Sequence, residues 1–157
     1  MRTETFSEPT ITDAAGDKKL ASVGRKVVIA EDEGITQLDL RKFITFSGLV
    51  VVGVASDGEQ ALKIVRATKP DIVLMDINMP KMTGLEAADT LLEEMEVCII
   101  IMTGYPTERN EKVSQALGVA GYLRKPLVYE TLMPQIEAFY EDFLDNLEVR
   151  RGSSLQQ

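Results

Sequence analysis

A chain of 157 residues with 45% hydrophobic and 27% charged residues is about one globular domain long and is neither fibrous nor disordered in composition. Its single cysteine, Cys98, excludes an internal disulfide, and the lack of histidine excludes Ser-His and Cys-His catalysis and any His-ligated zinc or haem. A net charge of −8 repels phosphate backbones and argues against direct nucleic-acid binding.

Residues 1–24 are polar and aperiodic, with Pro9, Gly16 and Gly24, and are expected to form a flexible extension. No stretch has the length of a signal peptide core or a membrane span. With one cysteine, this predicts a cytoplasmic protein that does not enter a membrane. From Arg25 the pattern changes. Apolar runs of strand length follow at Val27–Ala30, Leu49–Val54, Ile72–Met75, Val97–Met102 and, more weakly, Val119–Leu123. The first four are rich in Val and Ile. Continuous apolar character predicts strands covered on both faces, as in a parallel sheet.

Helical spacing fills the gaps. Thr36, Leu40, Phe43 and Ile44 share one face, as do Leu62 and Val65. Leu85, Ala88, Leu92 and Met95 form the third stripe, and Val113, Ala116 and Leu117 the fourth. The last helix carries Leu132, Ile136, Phe139, Tyr140 and Phe143 and is expected to end near Glu148. Gly48 and Gly118 sit where left-handed caps close helices, Asp57-Gly58 marks a turn, and Pro134 is expected near the first turn of the last helix. Strand and helix alternating five times predict a doubly wound α/β domain over residues 25–148 with a polar tail at 149–157. Too few residues follow the last helix for an output domain, so the domain is expected to act alone or in trans.

Ligands in open parallel sheets bind beyond the carboxyl ends of the strands. There the sequence places Glu31-Asp32-Glu33, Asp76, Thr103-Gly104 and Arg124-Lys125-Pro126. Clustered carboxylates repel one another and call for a cation. All-oxygen donors without histidine or thiolate favour Mg2+. A carboxylate beside Mg2+ can act as a nucleophile toward phosphorus, with a lysine and a hydroxyl to take up charge on the transferring group.

Together, Val27–Glu33, Pro70–Pro80 with Gly84, Ile101–Gly104 and Gly121–Pro126 resemble the response-regulator receiver domains of two-component signalling. The resemblance covers roughly residues 25–148. It implies a flavodoxin-like (βα)5 fold with strand order 2-1-3-4-5. It also implies Asp76 as phosphoacceptor, with Glu31, Asp32, Asp76 and the backbone carbonyl of Asn78 around Mg2+. Thr103 matches the switch hydroxyl, Lys125 the lysine of the site, and Tyr122 the switch aromatic. The implied donor is a sensor histidine kinase or histidine phosphotransfer protein. The implied output is a protein target at the face made by the fourth helix, fifth strand and fifth helix. The stretches Leu38–Leu40 and Leu132–Glu137 resemble receivers of antiterminator-type regulators. Glu31 departs from the commoner Asp, and its longer arm is expected to reach a metal-bound water. Gly34 is expected to loosen the start of the first helix.

Blander readings compete. Glu33 is expected to face solvent, and Cys98 to be inert core. The Leu132–Phe143 stripe is mainly core, with an exposed part that would suit a second copy of the chain. The alternative functions are a phosphate-independent interaction module of the same fold and, third, a phosphatase of the haloacid-dehalogenase type. That last family requires an acid two residues after its nucleophile, where this chain has Asn78.

Overall fold

The computed structural model describes residues 20–155. Five strands alternate with five helices: β1 Lys26–Ala30, α1 Gly34–Phe46, β2 Val50–Ala55, α2 Gly58–Thr68, β3 Ile72–Asp76, α3 Gly84–Glu94, β4 Cys98–Thr103, α4 Glu108–Leu117, β5 Gly121–Arg124 and α5 Tyr129–Leu155. All pairings are parallel, in the order β2-β1-β3-β4-β5. The expected doubly wound sheet is present, with the expected strand order.

The two-residue period of a strand divides the core between the faces. Val28, Ala30, Val73, Met75, Ile99 and Ile101 point to one side, where they pack on Ala61, Leu62 and Val65 of α2 and Ala87, Ala88 and Leu91 of α3. Val27, Ile29, Ile72, Leu74, Ile100 and Met102 point to the other, against Leu40 and Ile44 of α1 and Leu132, Met133 and Ile136 of α5. Each fully buried aliphatic side chain contributes about 1.5–3 kcal/mol, so β1, β3 and β4 anchor the domain. Cys98 is among them, and burial pushes its thiol up to about 12.

Local signals set the helix ends. Asp57 caps α2 by accepting from the Gln60 amide. Thr83 and Glu86 form a reciprocal capping box on α3, and Thr107 caps α4. Gly48 (φ +99°) and Gly118 (φ +89°) adopt the left-handed conformation expected of them. Glu33, by contrast, gives α1 no side-chain cap.

Several boundaries differ from expectation. Of residues 1–24, expected to form an extension, residues 20–24 are attached to the domain, and residues 1–19 lie outside the described residues. The Ala21 and Ser22 amides and the Ser22 hydroxyl all donate to the Glu137 carboxylate on α5. The Gly24 amide donates to the Gly48 carbonyl at 2.8 Å. The last helix does not stop near Glu148 but continues to Leu155, so most of the expected tail is helical. Pro134, expected near the first turn of the last helix, is the sixth residue of α5; it faces solvent, and the helix runs on past it. On α4 the buried side chain is Ser114, whose hydroxyl donates to the Asn110 carbonyl, whereas Ala116 is exposed. Serine can occupy a close-packed helix face because that internal hydrogen bond satisfies its hydroxyl.

Candidate functional site

The parallel sheet brings the carboxyl ends of β1, β3, β4 and β5 to one edge. Glu31 follows β1 and is fully buried; Asp32 beside it is exposed; Asp76 ends β3 and is 5% exposed. Among the described residues these three acids can present one oxygen each, all within 4.8 Å of one another. Three carboxylates so close fit a hard divalent cation by donor chemistry.

Lys125, just past β5, supplies the cation of the protein itself. Its Nζ lies 3.0 Å from Asp76 Oδ2 and also contacts Glu31 Oε1. The second Glu31 oxygen accepts from the Glu33 amide at 3.1 Å. Burial raises the Glu31 carboxyl above its ordinary range, and the Lys125 ammonium and the Glu33 amide offset part of that. Burial works against the charge on Lys125, but hydrogen bonds to Glu31 and Asp76 outweigh it and leave the ammonium harder to deprotonate. The Lys125–Pro126 peptide is cis.

Thr103 ends β4 and is fully buried, its hydroxyl accepting from the Tyr105 amide at 2.9 Å. Tyr122 on β5 turns its hydroxyl inward, where it is buried without a hydrogen-bond partner among the described residues. Burial raises that phenol, with the Glu111 carboxylate adding to the effect. Asn78 has an exposed side chain, and its amide lies 3.4 Å from Asp76 Oδ1. Glu33 faces solvent as expected and accepts from the Thr36 hydroxyl.

Gly84 explains why α3 starts so near the acid. A Cβ there would lie 2.0 Å from the Asp76 carbonyl oxygen, so only glycine lets the helix approach. Its amide donates to the Ile77 carbonyl at 2.8 Å. Beside the acids opens a groove of about 480 Å³ lined by Glu33, Thr36, Asp39, Lys125, Leu127 and Tyr129. Ile35 (75% exposed) and Leu38 (50%) on α1 and Val128 (55%) after β5, each next in the chain to a residue that lines it, are apolar and open to solvent. The apolar stripe of α5 is largely spent on the core: Leu132, Ile136 and Tyr140 are buried, and Phe139 and Phe143 pack against them.

Glu31, Asp32, Asp76 and Lys125 therefore converge as the sequence predicts, with Thr103 and Tyr122 on the neighbouring strands. The direct Glu31–Lys125 contact spans 94 residues and had no local signal. The anchoring of Ser22 by Glu137 had none either.

An acidic cluster with one lysine at the carboxyl edge of a 2-1-3-4-5 sheet defines a flavodoxin-like α/β domain as the class. Residues 27–137 match the family model of the response regulator receiver domain. The chain belongs to that family. It is 34% identical over 117 residues to the transcriptional regulatory protein PdtaR of Mycobacterium tuberculosis, covering 74% of this chain and 57% of that protein. It is 34% identical over 122 residues to the response regulator GacA of Pseudomonas aeruginosa, covering 73% and 55% respectively. The chain thus spans little more than half the length of these relatives. Among solved structures, it is similar to the CheX–CheY–BeF3–Mg complex of Borrelia burgdorferi, with a TM-score of 0.72 and 25% identity over 75% of this chain and 90% of that one. A LuxR-family two-component response regulator from Aurantimonas sp. gives a TM-score of 0.71 at 26% identity, over 82% and 98%. No helix among the described residues is long and apolar enough to cross a membrane.

Proposed function

We propose that this receiver domain accepts a phosphoryl group on Asp76 from a phosphorylated histidine of a sensor kinase or phosphotransfer protein. The observation that carries the reading is the Lys125 ammonium 3.0 Å from Asp76 Oδ2, with Asp32 and Glu31 close by. In the step, an Asp76 oxygen forms a bond to phosphorus as the P–N bond to the donor imidazole breaks. The bonding pair leaves with the ring, which takes up a proton from water. Lys125 holds the attacking carboxylate and then faces the new phosphoryl oxygens. Glu31 keeps Lys125 in place.

Asp32, Asp76 and the Asn78 backbone carbonyl would hold Mg2+ directly, with Glu31 reaching it through water because both its oxygens already have partners. When bound, Mg2+ supplies neutralising charge for the transferring phosphoryl. Thr103 would release the Tyr105 amide and donate its hydroxyl to the phosphoryl group. Tyr122 would respond behind it, changing the α4–β5–α5 face read by a protein target, by a shift between two populations. The exposed Ile35, Leu38 and Val128 offer a protein donor apolar contact. A cytoplasmic site of action follows from that donor. No enzymatic turnover beyond slow loss of the phosphoryl group is part of this reading.

Intact mass after incubation with acetyl phosphate and Mg2+ tests it, wild type beside Asp76→Asn. A gain of one phosphoryl group in the wild type only is expected. Labelling that survives Asp76→Asn removes the assignment. No gain in a folded, Mg2+-binding wild type leaves a phosphoryl group lost too fast to see or a phosphate-independent interaction module.

A further inference from the structure

The loop between β3 and α3, residues 77–83, carries Asn78 and is clamped from a direction outside the acidic site. Gly58, the first residue of α2, lies directly against it. A Cβ at Gly58 would sit 2.2 Å from the Met82 carbonyl oxygen and 2.7 Å from the Met82 carbonyl carbon. These are backbone atoms, so no side-chain rotation relieves the clash. Next to it the Asp57 carboxylate, 7% exposed, has Oδ2 at 3.7 Å from Lys81 Nζ. Its other oxygen caps α2 through the Gln60 amide at 2.7 Å. Lys81 is held at φ +69°, a left-handed conformation that costs a non-glycine residue energy and persists only where its surroundings impose it.

Displacement of this contact would fall on the loop. On one side, α2 is anchored by Ala61, Leu62 and Val65, all buried in the core. Asn78, Pro80 and Lys81 on the other side are exposed, and only Ile77 and Met79 are buried. Asp76 itself belongs to β3 and is fixed by the sheet. A push from residue 58 therefore moves Asn78 relative to Asp76, where the Asn78 amide lies 3.4 Å from Asp76 Oδ1.

We infer that the Asp57–Gly58 start of α2 is a positioning element for the metal-binding loop, holding Asn78 in register with Asp76 through the Gly58–Met82 backbone contact and the Asp57–Lys81 pair. The inference rests on the functional reading above. It adds the cap and the first residue of a neighbouring helix, both outside the acidic cluster of Glu31, Asp32 and Asp76.

The test is Mg2+ titration by calorimetry on the full chain, with a thermal melt and with acetyl phosphate labelling over a range of Mg2+. The variants are Gly58→Ala, Lys81→Gly and, as a stability control, Ala61→Gly, which weakens α2 without adding an atom near Met82. Gly58→Ala is expected to raise the Mg2+ Kd about tenfold or more, the size seen when groups that orient metal ligands are changed. Its labelling should shift to higher Mg2+ and recover at saturation. Lys81→Gly, which frees the loop without a clash, should move Kd in the same direction and decides the matter if Gly58→Ala does not fold. Ala61→Gly should lower the melting temperature and leave Kd unchanged. An unchanged Kd in folded Gly58→Ala, or an equal rise in Ala61→Gly, overturns the inference while leaving the functional reading intact. A wild type that binds no Mg2+ removes both.

Discussion

Replacing Lys125 with Met keeps the aliphatic stem and removes only the ammonium. That ammonium lies 3.0 Å from Asp76 Oδ2 and touches Glu31, whose side chain is 1% exposed. At 3.0 Å and an effective dielectric of ~20, one such contact is worth about 5–6 kcal/mol before desolvation. Desolvating each ion costs several kcal/mol, so the intact pair contributes little net stability. Losing one partner is different, because the carboxylates stay buried without compensation. Breaking a buried pair costs about 3–5 kcal/mol, and Lys125 keeps 18% of its side chain exposed, so water can enter; about 3 kcal/mol is expected. The loss should depend on pH. Burial already raises Glu31 from its usual 4.5, and without the ammonium it rises further. A carboxyl whose folded-state pKa is raised binds its proton more tightly in the folded state. Its stabilising share is full below the unfolded value and is lost as pH rises through the folded one. The deficit of Lys125→Met against wild type should therefore be smallest below pH 4.5 and grow toward neutrality. Urea denaturation without divalent cations, between pH 4 and pH 8, measures this. A deficit under ~1 kcal/mol at pH 7, or one that does not change with pH, would refute the reasoning.

Glu137→Gln leaves Ser22 and the Ala21 amide short of the carboxylate that accepts from them. Stability should fall by about 2 kcal/mol, and the amides of Ala21 and Ser22 should exchange hydrogen faster; unchanged exchange would mean that residues 20–24 are held by other contacts. Gly84→Ala places a Cβ 2.0 Å from the Asp76 carbonyl oxygen and should cost about 2 kcal/mol or more in urea denaturation, whereas a neutral result would show that α3 shifts freely. Cys98 is raised by burial from 9.0 to about 12, so the folded state retains its proton where the unfolded chain has lost it. Stability should decline over that window by up to ~1.4 kcal/mol per pH unit, and Cys98→Ala should lack this slope even after the cavity it creates is allowed for.

The elements were legible because their causes are local. A Val- and Ile-rich run such as Ile72–Met75 reads as a buried strand wherever it stands. Asp57, Thr83 and Gly118 end helices through bonds to residues a few positions away. The acids and the lysine of the site were legible as well, because a parallel sheet places every strand's carboxyl end on the same edge. The end of α5 was less so, since Arg150 and Arg151 look like a tail until Arg151 is seen paired with Glu96. Ala116 and Ser114 show the limit of periodicity. On a helix of low apolar content the buried face is chosen by what packs against it.

The sequence by itself determined the order and type of the elements, the two-faced core and the group of side chains that could meet at one edge, since each depends on spacing along the chain. Only the tertiary structure decided which groups touch. Glu31 meets Lys125 across 94 residues, and Ala21 meets Glu137 across 116. Gly58 lies against Met82 because the start of α2 and the loop after β3 arrive at the same place. Such contacts follow from how the helices seat on the sheet, and no neighbour in the chain carries a trace of them.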